Sequence, residues 1–394
     1  MTNQNFDISI IGGSFAGMTA ALALAKISPD LKIAIIERQN ILNQDRKSDG
    51  RAYAISAASL KFFQEIGIFD ETAKKAGKIS DIKITDYKSP FILDFIGSQV
   101  DEKNSQLGSI IEKYHIFNAL KNQVFQQKNI SVFAPNFYEK IEFKNDVEIK
   151  LDDQKTLTSK LILACDGRFS HLRSNFNIHT TQKKYYQTAI VFNVEHERKH
   201  QNTAYEKFLP GGPLAILPLQ NPNQSSIVWI ATDKLAQAIL SLDEENFVQQ
   251  LTKKMENVFG KTRVISEKFS YPLNLVEADK FYYEKMLLIG DAAAGVHPIA
   301  GQGFNLAISG IKILRQLIQN QIKNGLDISS ESLILAYNKE AKIGAKKMLI
   351  ATDILNSIFE TKSLSICLAR NLGLGFVNKI STLKKFFIKN AGGF

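Results

Sequence analysis

The stretch "FDISIIGGSFAGMTAALALAKI", Phe6 to Ile27, decides the fold. "FDISII" is a short apolar run that reads as a buried strand, "GGSFAG" is a glycine-rich turn, and "MTAALALAKI" has the composition of a helix. A few residues on, "KIAIIE" reads as a second buried strand that closes at Glu37. Together these make a β-α-β unit, and uninterrupted apolar strands belong in a parallel sheet covered on both faces. Ile8 to Ala25 carries no charge and is nearly long enough to span a bilayer, but Gly12, Gly13 and Gly17 interrupt it and Asp7 precedes it. No positively charged segment ahead of it suggests a signal peptide.

The turn carries chemistry. Gly12 permits a tight bend and Gly17 a close approach of helix to strand, while Ser14 takes the middle glycine position of the G-x-G-x-x-G pattern. The free N–H groups of Ser14, Phe15 and Ala16 at a helix start, aided by the helix dipole, suit a diphosphate. Glu37 lies twenty residues past Gly17, at the end of the next strand, where a carboxylate can accept both hydroxyls of an adenosine ribose; Arg38 beside it joins the same candidate set. These residues predict dinucleotide binding.

A second segment, "MLLIGDAAAGVHPIAGQGFNLA", separates a nicotinamide from a flavin reading. Asp291 ends a strand and can bond a ribose-like polyol. Gly301, Gln302 and Gly303 lead into a helix N-terminus whose free N–H groups suit an electron-rich ring edge, and the glycines let backbone lie close to a flat ring. Asn305 offers amide contacts to that ring. This helix is therefore expected to point at the isoalloxazine of FAD.

Elsewhere, helical patterns cover Ala57–Ile66 and Ile111–Gln127, and "DIKITDY" and "PFILDF" read as strands of another sheet. "TAIVFNV", "TAYEKFL", "LAILPL" and "SIVWIAT" alternate as antiparallel strands do. The expected fold is α/β: a Rossmann-type FAD-binding domain made of residues 1–75, 100–178 and 270–330, an inserted antiparallel β-sheet substrate domain of residues 76–99 and 179–269, and a helical C-terminal region, 331–394. The 394 residues suit two to three domains, and two cysteines far apart, Cys165 and Cys367, fit a reducing compartment rather than a disulfide framework. The net charge of +10 is spread along the chain with no dense basic block, so nucleic acid is not an expected partner. "HERKH", His196–His200, fits H-E-x-x-H, but strand-like runs flank it; a solvated hairpin is expected there, and no metal site. The tail sets Lys379, Lys384, Lys385 and Lys389 among Ile380, Leu383, Phe386, Phe387 and Ile388. It reads either as a basic amphipathic helix on an anionic membrane or as a terminal helix packed on its own domain.

The chain resembles the class A flavoprotein aromatic hydroxylases, and more narrowly the ubiquinone-biosynthesis hydroxylases. The resemblance rests on Gly290-Asp291, on His297 to Leu306, on the D-G-x-x-S-x-x-R pattern from Asp166 to Arg173, on "DGRAYAIS" (Asp49–Ser56) and on "FLPGGPLAILPL" (Phe208–Leu219). It implies flavin contacts for Arg51 and Asp166, and places His297 and Pro298 near the flavin face without naming a catalytic residue. It also implies the activity. NAD(P)H or a ferredoxin-type donor reduces FAD, a flavin C4a-hydroperoxide forms with O2, and a polyprenylated phenol is hydroxylated by a cytoplasmic enzyme. The implied setting is peripheral at the inner membrane, in a ubiquinone-biosynthesis complex. A related flavoprotein reductase or halogenase, or a catalytically silent flavin-binding member of such a complex, stays open. This chain departs from the family at Ser14, Tyr114, Ala294 and Gly310.

Overall fold

The computed structural model describes residues 3–41, 49–87, 92–99, 106–295 and 302–360. Its first sheet has at its centre the parallel strands β8 (Ile130–Phe133), β2 (Ile33–Ile36), β1 (Asn3–Ile11), β11 (Thr156–Ala164) and β19 (Met286–Leu288), in that order. β18 (Tyr282–Tyr283) pairs antiparallel at one edge, and the hairpin β9 (Tyr138–Phe143) and β10 (Val147–Leu151) extends the start of β11. Helix α1 (Phe15–Ala25) packs against α4 (Lys113–Gln126) and α8 (Gln302–Lys323). Its residues from Gly17 to Ala25 are all buried, which is why the segment carries no charge. Among the described residues no helix is long and apolar enough to cross a membrane.

A second, largely antiparallel sheet runs β20 (Ala294–Gly295), β17 (Phe269–Ala278), β12 (Thr180–His196), β15 (Gln224–Thr232), β14 (Gly212–Pro218), β13 (Thr203–Leu209), β5 (Asp81–Asp86) and β6 (Ile92–Ile96), with β16 (Thr262–Val264) also on β12. β13 and β5 pair in parallel. Helices α6 (Asp233–Leu240) and α7 (Glu244–Lys254) cover one face, where Phe192, Trp229 and Phe247 form a core. The other face meets a small sheet of β3 (Ala52–Ser56), β7 (Gly108–Glu112) and β4 (Ala76–Ile79), with Ala204, Leu217 and Ile82 packed on Ala52, Ala54 and Ile110. Helices α2 (Ala57–Ile66), α3 (Phe69–Ala73), α5 (His171–Asn175) and α9 (Glu331–Glu360) complete the described elements, with short 3-10 turns at Gly97–Gln99 and Gly290–Ala292.

The architecture is the expected α/β fold, with one local correction. The helix expected from Ile111 starts at Lys113, because Ile110 and Ile111 pair with Ala54 and Tyr53 as the end of β7.

Candidate functional site

The first glycine loop is shaped by contacts that exclude side chains. Gly12 has φ +105°, and a Cβ there would sit 2.5 Å from the carbonyl oxygen of Cys165. A Cβ on Gly17 would lie 1.8 Å from the Gly12 carbonyl oxygen, and one on Gly13 2.8 Å from Cβ of Glu37. The loop is thereby pressed onto the ends of β11 and β2. Glu37 is oriented by it: Oε2 accepts from the Gly13 N–H at 2.7 Å and Oε1 from the Gln39 N–H at 2.7 Å. Each oxygen keeps a further lone pair for another donor. Ser14 caps α1 by position, yet its hydroxyl makes no cap hydrogen bond. The Phe15 ring turns inward against Tyr53, Phe117 and Phe304, so at the loop Phe15 offers only its backbone. Ala16 is half-buried beside it, and Arg38 is exposed.

The second loop meets the first through small residues. Gly290 has φ +64°, and a Cβ there would lie 3.3 Å from the Cβ atoms of both Ala16 and Ala307. Asp291 follows at once. Burial pushes its carboxyl above the usual range, and Arg168, with Nε 3.9 Å from Oδ2, acts against that. A third loop, after β11, closes the cluster. Asp166 Oδ2 accepts from the Leu172 N–H at 3.1 Å, while Oδ1 is buried with no hydrogen-bond partner among the described residues. Arg173 ties this loop down, donating to the carbonyls of Ala292 at 2.9 Å and Arg168 at 2.8 Å.

Arg51 approaches from β3. Its guanidinium pairs with Asp49 and lies 4.5 Å from the centre of the Phe269 ring. Burial works against the Asp49 charge, but hydrogen bonds from Arg51 hold its carboxyl below the usual range. Tyr271, two residues along β17, has its phenol pushed up by burial, an effect that Arg168 and Arg51 oppose. Asn305 also bonds within the protein. Its amide donates to Ala54 O at 2.8 Å and accepts from Ser56 N at 3.0 Å, which fastens α8 to β3.

His297, Pro298 and Gly301 lie outside the described residues, as do Cys367 and the basic tail beyond residue 360. Gln302 begins α8, with Gly303 in its first turn. Arg168 stood within the D-G pattern, yet its pairing with Asp291 depends on the fold. Phe269 and Tyr271 were overlooked because "FSYPLNLVEA" alternates poorly and contains Pro272.

The H-E-x-x-H segment also needs correction. His196 and His200 are buried at the end of β12 and the following turn, not solvated. His196 Nδ1 donates to Arg198 O at 2.7 Å, and Nε2 meets the Ser225 hydroxyl at 2.9 Å. His200 Nε2 donates to Leu219 O at 3.0 Å while its Nδ1 accepts from Asn202 N at 3.0 Å. For His200 the carbonyl and N–H partners define a neutral ring, and no metal-holding cluster occurs among the described residues.

The donor set fits FAD. There is a side-chain-free cradle at a helix start, an idle serine hydroxyl, a carboxylate fixed at the end of β2, an orphaned Asp166 oxygen and a second carboxylate at the adjoining loop. The model of the FAD binding domain family matches residues 5–352. Ubiquinone hydroxylase UbiL of Rhodospirillum rubrum is 32% identical over 98% of this chain and 89% of its own length. The human ubiquinone biosynthesis monooxygenase COQ6 is 27% identical over 98% and 92%. Among solved structures, p-nitrophenol 4-monooxygenase PnpA of Pseudomonas putida superposes with a TM-score of 0.80 over 98% of both chains at 14% identity, a likeness of fold. The chain belongs to the FAD binding domain family and, within it, to the FAD-dependent monooxygenases.

Proposed function

We propose that this protein hydroxylates the aromatic ring of a polyprenylated phenol in ubiquinone biosynthesis. The observation that carries this reading is the meeting of the Gly12–Gly17 and Gly290–Asp291 loops at Ala16, in a chain similar over nearly its full length to ubiquinone hydroxylases. Glu37 would accept the adenosine ribose hydroxyls. Ser14 and the N–H groups of Phe15 and Ala16 would face the diphosphate, and Asp291 and Asp166 would take the polyol and its neighbourhood. Arg51, Gln302, Gly303 and the undescribed Pro298 and Gly301 belong to the ring end in this assignment. FAD, when bound there, would supply the redox chemistry that activates O2, with NAD(P)H as the proposed source of electrons. The apolar face of the second sheet, with Val191, Val228 and Ile230, excludes water and orients the substrate ring. One oxygen atom enters the ring and the other leaves as water. The basic tail, 361–394, would hold the enzyme at an anionic membrane where a polyprenyl chain resides.

The test combines purified yellow protein, NAD(P)H, isotopically labelled O2 and a short-chain prenylphenol. The expected product carries one labelled oxygen on the ring, and cells lacking the protein accumulate the unhydroxylated precursor. Flavin that turns over with no labelled product, in cells whose quinone intermediates are unchanged, refutes the reading and favours the silent flavin-binding alternative.

A further inference from the structure

Glu206 stands on the inner face of the second sheet. Alternation along β13 sends Ala204, Glu206 and Phe208 to one side and Tyr205, Lys207 and Leu209 to the other. Ala204 packs on Ala52, Ala54 and Ile110, whereas Tyr205 and Leu209 pack with the α6–α7 core, so the Glu206 side faces the dinucleotide-binding half. Facing pairs place Ile84, Glu206, Ala215, Val228, Val191 and Phe269 in one line across five strand pairings, ending under Arg51. Every residue of that line except Glu206 is apolar. A carboxylate set among such neighbours needs a partner.

No described residue supplies one. The nearby cations serve the opposite face, where Lys207 pairs with Glu256 at 2.8 Å and Lys83 lies over the Tyr205 ring. On the Glu206 face, the ionisable groups among the described residues include Asp86, beside Phe208 on the next line of pairs, Tyr271 at the far strand, and Glu195 paired with Arg263 at the end of β12; Glu112, bonded to Asn193, and the Asp49–Arg51 pair border it. Glu206 keeps accessible surface although protein surrounds it, as expected of a group lining an internal cleft, and burial pushes its carboxyl up to about 7.

We propose that Glu206 accepts the hydrogen bond and then the proton of the ring hydroxyl of the aromatic substrate. This rests on the substrate reading above. The phenolic O–H breaks and a carboxyl O–H forms, leaving a phenolate whose ring carbon is the stronger nucleophile. After oxygen enters, the substituted carbon loses its hydrogen to water as a proton, and Glu206 returns its own proton to the phenolic oxygen. An ordinary carboxylate is a weaker base than phenolate by about six pK units; a group near neutrality narrows that to about three.

The test compares wild type with Glu206→Gln, which keeps shape and loses the base, and with Glu206→Asp. Bound flavin and thermal midpoint report folding. The direct readout is the rate of hydroxylation of a short-chain prenylphenol by each protein across pH. The wild-type rate is expected to rise with pH as the Glu206 carboxyl ionises and to level off above that point. Glu206→Gln, with flavin retained, should lose that limb and cut hydroxylation roughly a hundredfold, with Glu206→Asp between them. An unchanged rate and pH–rate profile in the Glu206→Gln variant overturns the role of Glu206 alone. Wild type that binds no phenol overturns both this role and the substrate reading. A Glu206→Gln variant without flavin shifts the comparison to Glu206→Asp, for which an unchanged pH–rate profile is equally fatal.

Discussion

Glu37 shows how much one side chain can decide. Both its oxygens accept backbone N–H groups, one from Gly13 inside the glycine loop. An arginine there removes both acceptors and puts a cation beside N–H groups that already carry positive partial charge. Glu37→Arg is therefore expected to lower the flavin-to-protein absorbance ratio of purified protein sharply, and an unchanged ratio contradicts the ribose assignment. This position was legible in sequence because its meaning is local: a strand end at fixed spacing from a glycine turn. Phe15 was half legible. Its place in the loop was plain, but only the packed structure reveals that its ring belongs to an aromatic cluster with Tyr53 and Phe304. Glu206 and Tyr271 were illegible, since a strand residue's face acquires significance only when the partners across the sheet are known.

The turn joining β12 to β13 stakes part of its stability on uncharged imidazole. His200 uses Nδ1 as an acceptor for Asn202 N, so protonation there sets an N–H against an N–H. Burial lowers the basicity of both His196 and His200 from the ordinary 6.5. Above that value the histidines are neutral in the folded and unfolded chains alike. As pH falls below about 6.5 the unfolded chain takes up protons that the folded chain refuses, so stability drops until the folded rings titrate. Urea midpoints measured between about pH 7.5 and about pH 5 should therefore decline, and His200→Gln should flatten the curve. A wild-type slope no steeper than the variant's refutes the account. The H-E-x-x-H spacing was visible from the start and pointed to a surface hairpin; the burial came from Phe259 and Ser225, contributed by distant segments. β17 shows the same limit. Its pairing with β12 runs across most of its length, yet Pro272 and mixed polarity hid it.

Across the whole molecule, the parallel strands around β1 were readable because burial on both faces makes them continuously apolar. The second sheet was readable only as separate alternating runs. Its parallel join between β5 and β13 links segments more than a hundred residues apart, and no local pattern encodes that. Among the described residues, the polar ties between the two halves include Asn193 Nδ2 donating to Glu112 at 3.3 Å. Gly290 has a wider consequence. Wedged between Ala16 and Ala307, it makes the partition separating the starts of α1 and α8 a single backbone thick. In the proposed assignment Glu37 beside the first loop and Asp291 after Gly290 are the two stops of a gauge for one coenzyme. FAD would meet both, whereas FMN, lacking the adenylate, would meet only Asp291. Gly290→Ala, strained at φ +64° and crowded on both sides, should spread the gauge and weaken FAD binding in fluorescence titrations while leaving the feebler FMN binding nearly as it was. Equal losses for both flavins would mean that the glycine maintains the fold and measures nothing.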